Sequence, residues 1–169
     1  MGMFKYAGLI LIILISSFSG VYFSTALKSR LATLKKVNYL IDEIIILLRY
    51  KASTVYEIIG YLTMNERFAE FSFLEKISAD GDCSFQIEWC NSLEENPPLN
   101  LKQDDLQILA DIGKNLGTSD IEGQISTLNL QRNELKILIS SAETEYEKKS
   151  KLYRSLGVLV GAFISVMLI

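Results

Sequence analysis

"IGKNLGTSDIEGQ", residues Ile112–Gln124, sets three glycines, one lysine and a run of small hydroxyl residues into a chain that otherwise reads as helix. As a loop that cradles a phosphate it would make the protein an enzyme. As a break between two helices it makes the fold a bundle. A phosphate loop of the G-x-x-x-x-G-K-[ST] type follows a strand and carries its hydroxyl directly after the lysine. Here Asn115 follows Lys114, no glycine stands five residues before Gly113, and no strand pattern precedes it. The corner reading uses every residue instead. Gly117 suits the left-handed position that ends a helix. Ser119 and Glu122 suit a capping box opening the next helix, and Asp120 suits that helix's positive end. The stretch predicts a tight helix-helix corner.

Both sides of the corner carry helical periodicity. Downstream, Ile121, Ile125, Leu128, Arg132, Leu135, Ile139, Ala142, Tyr146, Lys149, Tyr153 and Leu156 step by four and three, with Arg132 and Lys149 the only charged members. Upstream, Leu106, Leu109, Ile112 and Leu116 mark a helix that Asn100 and Gln103 can cap, after the prolines of "ENPPLN" end the one before. That earlier helix carries Phe85, Trp89 and Leu93 and follows the turn "ADGDCS"; Phe68, Phe71, Leu74 and Ile77 mark another. Thr54 and Glu57 form a capping box for a short helix with Val55, Ile58, Ile59 and Leu62. At the start, Leu27, Leu31, Leu34, Asn38, Ile41, Ile45 and Leu48 form a heptad-type stripe on one long helix reaching about Tyr50. Asn38 is its polar exception, fixing register with a partner or facing water. No segment alternates with period two. The predicted fold is all-α: an antiparallel helical bundle of about six helices, two of them long and continuing into membrane segments.

The membrane expectation comes from both ends. Ala7–Leu27 is uncharged, flanked by Lys5 before it and by Lys28, Arg30, Lys35 and Lys36 after it. Leu156–Ile169 is uncharged and preceded by Lys148, Lys149, Lys151 and Arg154. Basic flanks stay in the cytoplasm, so both segments give one orientation. Residues 1–27 form an N-terminal transmembrane helix, 28–155 a cytoplasmic helical domain, and 156–169 a C-terminal membrane segment. The second segment covers only roughly 21 Å as helix, so it starts nearer Leu152 with Arg154 reaching the headgroups, or lies shallow. A cleaved signal peptide, with Lys5 as its basic end and "SSFSG" as its cleavage zone, is the rival reading of the first segment. Small residues recur every fourth position in each: Ser16, Gly20 and Ser24, then Gly157, Gly161 and Ser165. Such stripes let helix backbones approach closely, on each other or on another protein. Self-association is left open.

Between the basic ends the chain is acidic. Residues 52–147 hold six basic and eighteen acidic side chains, although the whole chain nets only −3. That body argues against nucleic acid, whose phosphates need a basic face. Nor does the pattern point to catalysis or a cofactor. The chain has no histidine, the commonest general base and metal ligand. Two cysteines make a poor zinc site, and Cys83 and Cys90 read as small buried residues. Asp104 and Asp105 point about 100° apart on a helix and suit its first turn.

Several short motifs, in order along nearly the whole chain, resemble the stage III sporulation protein AB family of endospore-forming bacteria. The corner resembles "LGxxDxxxQ" in Leu116, Gly117, Asp120 and Gln124; the end resembles "SLGxLxG" in Ser155, Leu156, Gly157, Leu159 and Gly161. Trp89, Ser92 and Leu93 match a tryptophan helix, and Arg30, Leu31, Leu34, Glu43 and Ile44 the first long helix. Where the family usually starts a helix with "TPL", this chain reads "YKASTVYE" without the proline.

The resemblance implies an integral membrane component of the complex built between mother cell and forespore. It would sit in the outer forespore membrane, with its bulk in the mother-cell cytoplasm. It further implies a cytoplasmic part similar to that of the type II secretion platform, general secretion protein F. The implied partners are a cytoplasmic ATPase, stage III sporulation protein AA, and other membrane proteins of the complex. A non-enzymatic platform is the function so implied, and a stand-alone membrane-tethered adaptor for a soluble factor is the alternative. The partner surface expected is the corner, at Gly117, Asp120 and Gln124, with local capping as the other role for these side chains.

Overall fold

The computed structural model describes residues 2–51, 53–78 and 83–167, with the side chains of 11, 14–51, 53–78, 83–153, 155–161, 163, 164 and 167. Most of the turn "ADGDCS", the side chains at 7–10, 12, 13, Arg154 and Ser165, and the last two residues lie outside that set. The described residues are all-helical. Five α-helices follow in order: α1 (Gly2–Lys51), α2 (Val55–Thr63), α3 (Phe85–Glu95), α4 (Gln103–Asn115) and α5 (Ile121–Met167). They form two compact units, one of residues 1–31 and 141–169, the other of residues 32–140. These divisions follow packing, and so differ from the boundaries at 27 and 155 set by charge.

In the unit of residues 32–140, α1 buries more than its expected stripe. Leu34, Ile41 and Leu48 are buried, and so are Val37, Leu40, Ile44 and Leu47, one position round the helix. A helix covered on two sides carries two such stripes. The short helices supply an aromatic core in which Phe71, Phe73 and Trp89 are fully buried. Phe73 meets the Trp89 ring edge-on at 5.2 Å, and Tyr56 meets Phe85 edge-on at 5.7 Å. The Trp89 indole donates to the Leu109 carbonyl at 2.8 Å, tying α3 to α4.

The helix expected around Phe68–Ile77 is instead two 3-10 helices, Glu66–Phe68 and Ser72–Lys76. The sequence carried the reason: Phe68, Phe71, Leu74 and Ile77 step by three throughout, the period of a 3-10 helix rather than an α-helix. Each donates its backbone N–H to the carbonyl of the one before, at 2.8, 2.9 and 3.3 Å. Among the described residues the α-helices are therefore five rather than about six. Two other expectations shift. The α4 N-cap is Lys102, whose backbone N–H donates to Asp105 Oδ2 at 2.9 Å, while Asn100 sits in the left-handed region at φ 64°. Cys83 is exposed rather than buried, and Cys90 is half-buried. The capping box at Thr54 is present without the family's proline: Glu57 N–H donates to Thr54 Oγ1, and Thr54 N–H to Glu57 Oε2.

In the unit of residues 1–31 and 141–169, α1 and α5 run antiparallel. Ser16 pairs with Gly157, Phe23 with Tyr153, and Arg30 with Glu145. The outward faces carry large apolar side chains: Leu14, Ile15, Phe18, Tyr22 and Phe23 on α1, and Leu152, Leu159, Phe163 and Met167 on α5. Among the described residues, no helix is long and apolar enough to cross a membrane.

Candidate functional site

The corner between α4 and α5 is closed by Gln124. Leu116 ends α4 as a buried residue, and Gly117 follows at φ 79°, where a β-carbon is strained. That β-carbon would also press on Val55 Cγ1 at 2.9 Å. The Gly117 N–H donates to Gln124 Oε1 at 2.8 Å, and Gln124 Nε2 donates to the Ser119 carbonyl at 2.7 Å. One side chain thus satisfies a donor and an acceptor on opposite arms of the turn. From α3, Gln86 Nε2 donates to the Leu116 carbonyl at 2.9 Å.

The α5 cap is Asp120, whose Oδ1 accepts from the Gly123 N–H at 3.2 Å. It displaces the expected Ser119–Glu122 box by one residue. A β-carbon on Gly123 would sit 2.7 Å from that oxygen, so the bare glycine makes room for the cap.

The three expected interface residues therefore part company. Gln124 is buried and spent on the corner's backbone, whereas Gly117 and Asp120 are exposed. Thr118, Ser119, Ile121 and Glu122 are exposed beside them. Nothing in the sequence marked Gln86, since its partner lies 30 residues away. Replacing Gln124 with alanine should cost about 1–2 kcal/mol, two neutral hydrogen bonds of ordinary worth. A urea titration read by Trp89 fluorescence measures it. Gln124→Glu keeps the acceptor for Gly117 but loses the donor for Ser119, and should fall between.

Two polar exceptions in the long stripes, Asn38 and Arg132, share one partner, Asp42. Arg132 Nη1 donates to Asp42 Oδ1 at 2.7 Å, and Asn38 Nδ2 donates to Asp42 Oδ2 at 3.2 Å. Asn38 thus helps set register with α5 of its own chain, through an aspartate the stripe had not singled out. The ion pair is about one-third exposed, so it contributes at most about 1 kcal/mol and mainly selects register.

The small residues of the apolar ends also come together. Ser16 Oγ donates to the Gly157 carbonyl at 2.6 Å. A β-carbon on Gly157 would lie 2.8 Å from the Ser16 carbonyl oxygen and 3.3 Å from Gly20 Cα, and one on Gly20 would overlap the Tyr153 carbonyl. Ser24 is fully buried and Gly161 is buried, while the Ser165 side chain lies outside the described residues. Beyond this contact Arg30, itself buried, pairs with Glu145 at 3.3 Å, and Glu145 pairs with Lys149 at 2.8 Å. The hydrogen bond that Lys149 donates to Glu145, then the charge of Glu145, raises the Lys149 pKa above the ordinary lysine value.

Among the described residues, no cluster of three or more Cys, Asp or Glu could hold a metal ion. The side chains that the sequence singled out shape helix junctions and helix contacts. The described residues are all-α, with an aromatic core inside the unit of residues 32–140 and an antiparallel helix contact inside the other. The chain matches the model of the stage III sporulation protein AB family over residues 5–169, and it belongs to that family. Membership gives it a role in sporulation. No curated protein and no solved structure matches it.

Proposed function

We propose that the chain is a non-enzymatic membrane platform of a secretion-like sporulation complex. Both its helical ends lie in the outer forespore membrane, with residues 32–140 on the mother-cell side. The observation that carries this reading is the outward apolar surface of the α1–α5 pair, with Phe18, Leu159 and Phe163 each more than 60% exposed. Apolar patches of that kind mark contact with lipid or protein, and the basic residues beside this one favour the cytoplasmic side of a membrane.

The acidic unit then serves as a docking body for the cytoplasmic ATPase of the same system, stage III sporulation protein AA. A cytoplasmic part resembling that of general secretion protein F belongs to the same proposal. Within the corner the contact falls to Asp120 and its exposed neighbours, because Gln124 is engaged internally. Asp120→Lys in the full chain, held in mild detergent, should weaken binding of the purified ATPase about tenfold, equivalent to about 1.4 kcal/mol. Asp120→Asn, which preserves a capping oxygen, should lose less. Unchanged affinity for the lysine variant at unchanged helicity would remove the corner from the interface. Recovery of a soluble factor without other integral membrane proteins would favour a stand-alone tethered adaptor.

A further inference from the structure

The uncharged run of α1 ends at Leu27 and that of α5 begins at Ser155, yet the two ends are not level with each other. Gly20 lies against Tyr153, and Arg30 pairs with Glu145. Leu27, between them, therefore stands beside residues 147–149, the start of the lysine-rich stretch. A membrane surface drawn at Lys28 would carry Lys148, Lys149 and Lys151 toward the hydrocarbon together with Leu27.

The costs decide where the surface falls. A lysine or arginine at depth costs about 2.5–3.5 kcal/mol on insertion scales, less where the side chain can reach the headgroups. Leaving Ser24, Thr25, Ala26 and Leu27 outside forfeits little, because only leucine among them gains appreciably, by about 0.5 kcal/mol. The outward faces change character at one common level. Phe18, Val21, Tyr22 and Phe23 are exposed and apolar or aromatic, followed by exposed Thr25 and Lys28. On α5, Leu152 and Leu156 are exposed, preceded by exposed Lys151, Lys149 and Lys148. At the change, Tyr22, Phe23 and Tyr153 form one aromatic cluster, with centroids 5.9 and 5.8 Å apart. Aromatic rings with polar tips collect at the headgroup level.

Resting on the membrane reading above, we propose that the bilayer surface crosses the helix pair at Tyr22, Phe23 and Tyr153. The uncharged segment Ser24–Leu27 then stands outside the hydrocarbon, and Lys28, Lys148 and Lys151 face anionic lipid headgroups. Lys28 lies five residues beyond Phe23, about 8 Å along the helix, within reach of a headgroup layer about 5–7 Å deep. Buried Ser24 and the Arg30–Glu145–Lys149 chain then belong to the aqueous side, where a polar interior is tolerated.

The test uses the full chain with Cys83 and Cys90 changed to serine, reconstituted into phosphatidylcholine vesicles containing phosphatidylglycerol. Single nitroxide labels at Phe18, Thr25, Leu152 and Val158 report their access to oxygen, which concentrates in lipid, and to an aqueous nickel chelate. Phe18 and Val158 should favour oxygen and Thr25 nickel, with Leu152 between. A Thr25 label as oxygen-favoured as Phe18 would return the surface to Lys28 and overturn this placement while leaving the anchor intact. Nickel access at all four positions, or failure of the chain to float with the vesicles, would overturn both the placement and the membrane reading.

Discussion

Replacing Gly113 with alanine is expected to destabilise the unit of residues 32–140 by about 3 kcal/mol, although alanine is the better helix former. Propensity alone would stabilise α4 by about 1 kcal/mol. Against that, a β-carbon at Gly113 would overlap three carbons of the Trp89 ring, Cγ, Cδ1 and Cδ2. Trp89 is fully buried between Phe73, Phe85 and α4, so the ring has no space to retreat into. Overpacking of this kind costs about 1–3 kcal/mol. Losing the indole bond to the Leu109 carbonyl adds about 1–3 kcal/mol more, since both groups stay buried. Trp89 is the only tryptophan in the chain, so its fluorescence reads the transition directly. With a urea slope of about 1–3 kcal/mol per molar, the midpoint should fall by roughly 1–3 M. Trp89→Leu, followed by far-ultraviolet circular dichroism because it removes the fluorophore, opens a cavity and costs at most about 3–5 kcal/mol, but the two changes should be less than additive because the new methyl fills part of it. An unaltered midpoint for Gly113→Ala would show that the α3–α4 contact is not the close one described.

Gly113 also shows why the sequence revealed the helices more readily than their contacts. Period and caps are local, and the two long helices, the Thr54–Glu57 box and the left-handed Gly117 were all readable from neighbouring residues. Gly113 read only as one glycine in a suspicious loop, because its reason is an indole 24 positions away. Gln86 and Asp42 were silent for the same cause: their partners are Leu116 and Arg132. Two other differences were legible but read with the wrong period or stopped short. The strict three-residue step from Phe68 to Ile77 is a 3-10 signature, and Val37, Leu40, Ile44 and Leu47 form a second stripe on α1. Propensity misled at α4, where Asn100 is the better cap by type. Asp105, the third residue of the helix, reaches back to the Lys102 amide and is buried in doing so.

The corner itself was half legible. Its glycine and its acidic cap follow from backbone chemistry that any helix junction must satisfy. The role of Gln124 does not, since a glutamine four residues past a cap reads equally as an outward contact or an inward clamp. Three-dimensional placement decides between them, because both amide ends find backbone partners across the turn. The docking proposal accordingly rests on the exposed rim at Asp120, and the stability of the corner on Gln124. The two side chains should respond differently: Asp120→Asn should change binding more than folding, and Gln124→Ala folding more than binding.

The contact between Gly20 and Gly157 should be the most sensitive point of the other unit. Gly157→Leu is expected to force α1 and α5 apart by about 2 Å, toward the 8–10 Å interaxial spacing of helices that meet through larger side chains. Even a β-carbon there lies 2.8 Å from the Ser16 carbonyl and close to the Gly20 backbone, and neither is a flexible tip that could swing away. The Ser16 hydroxyl would lose its acceptor at the same time. On the membrane placement proposed above, this loss has no compensation from water exclusion, because close packing itself holds helices together in lipid. Gly157→Ala should produce a smaller separation, and substitution of exposed Val158, the next residue round the helix, almost none. Spin labels at exposed Ser19 and Leu156, which line the cleft between the helices, read the separation as a change in their mutual distance. The order Leu above Ala above the Val158 control is what close backbone packing requires. Equal distances in all three variants would mean that the two helices do not depend on each other here, and that the small residues serve a different neighbour.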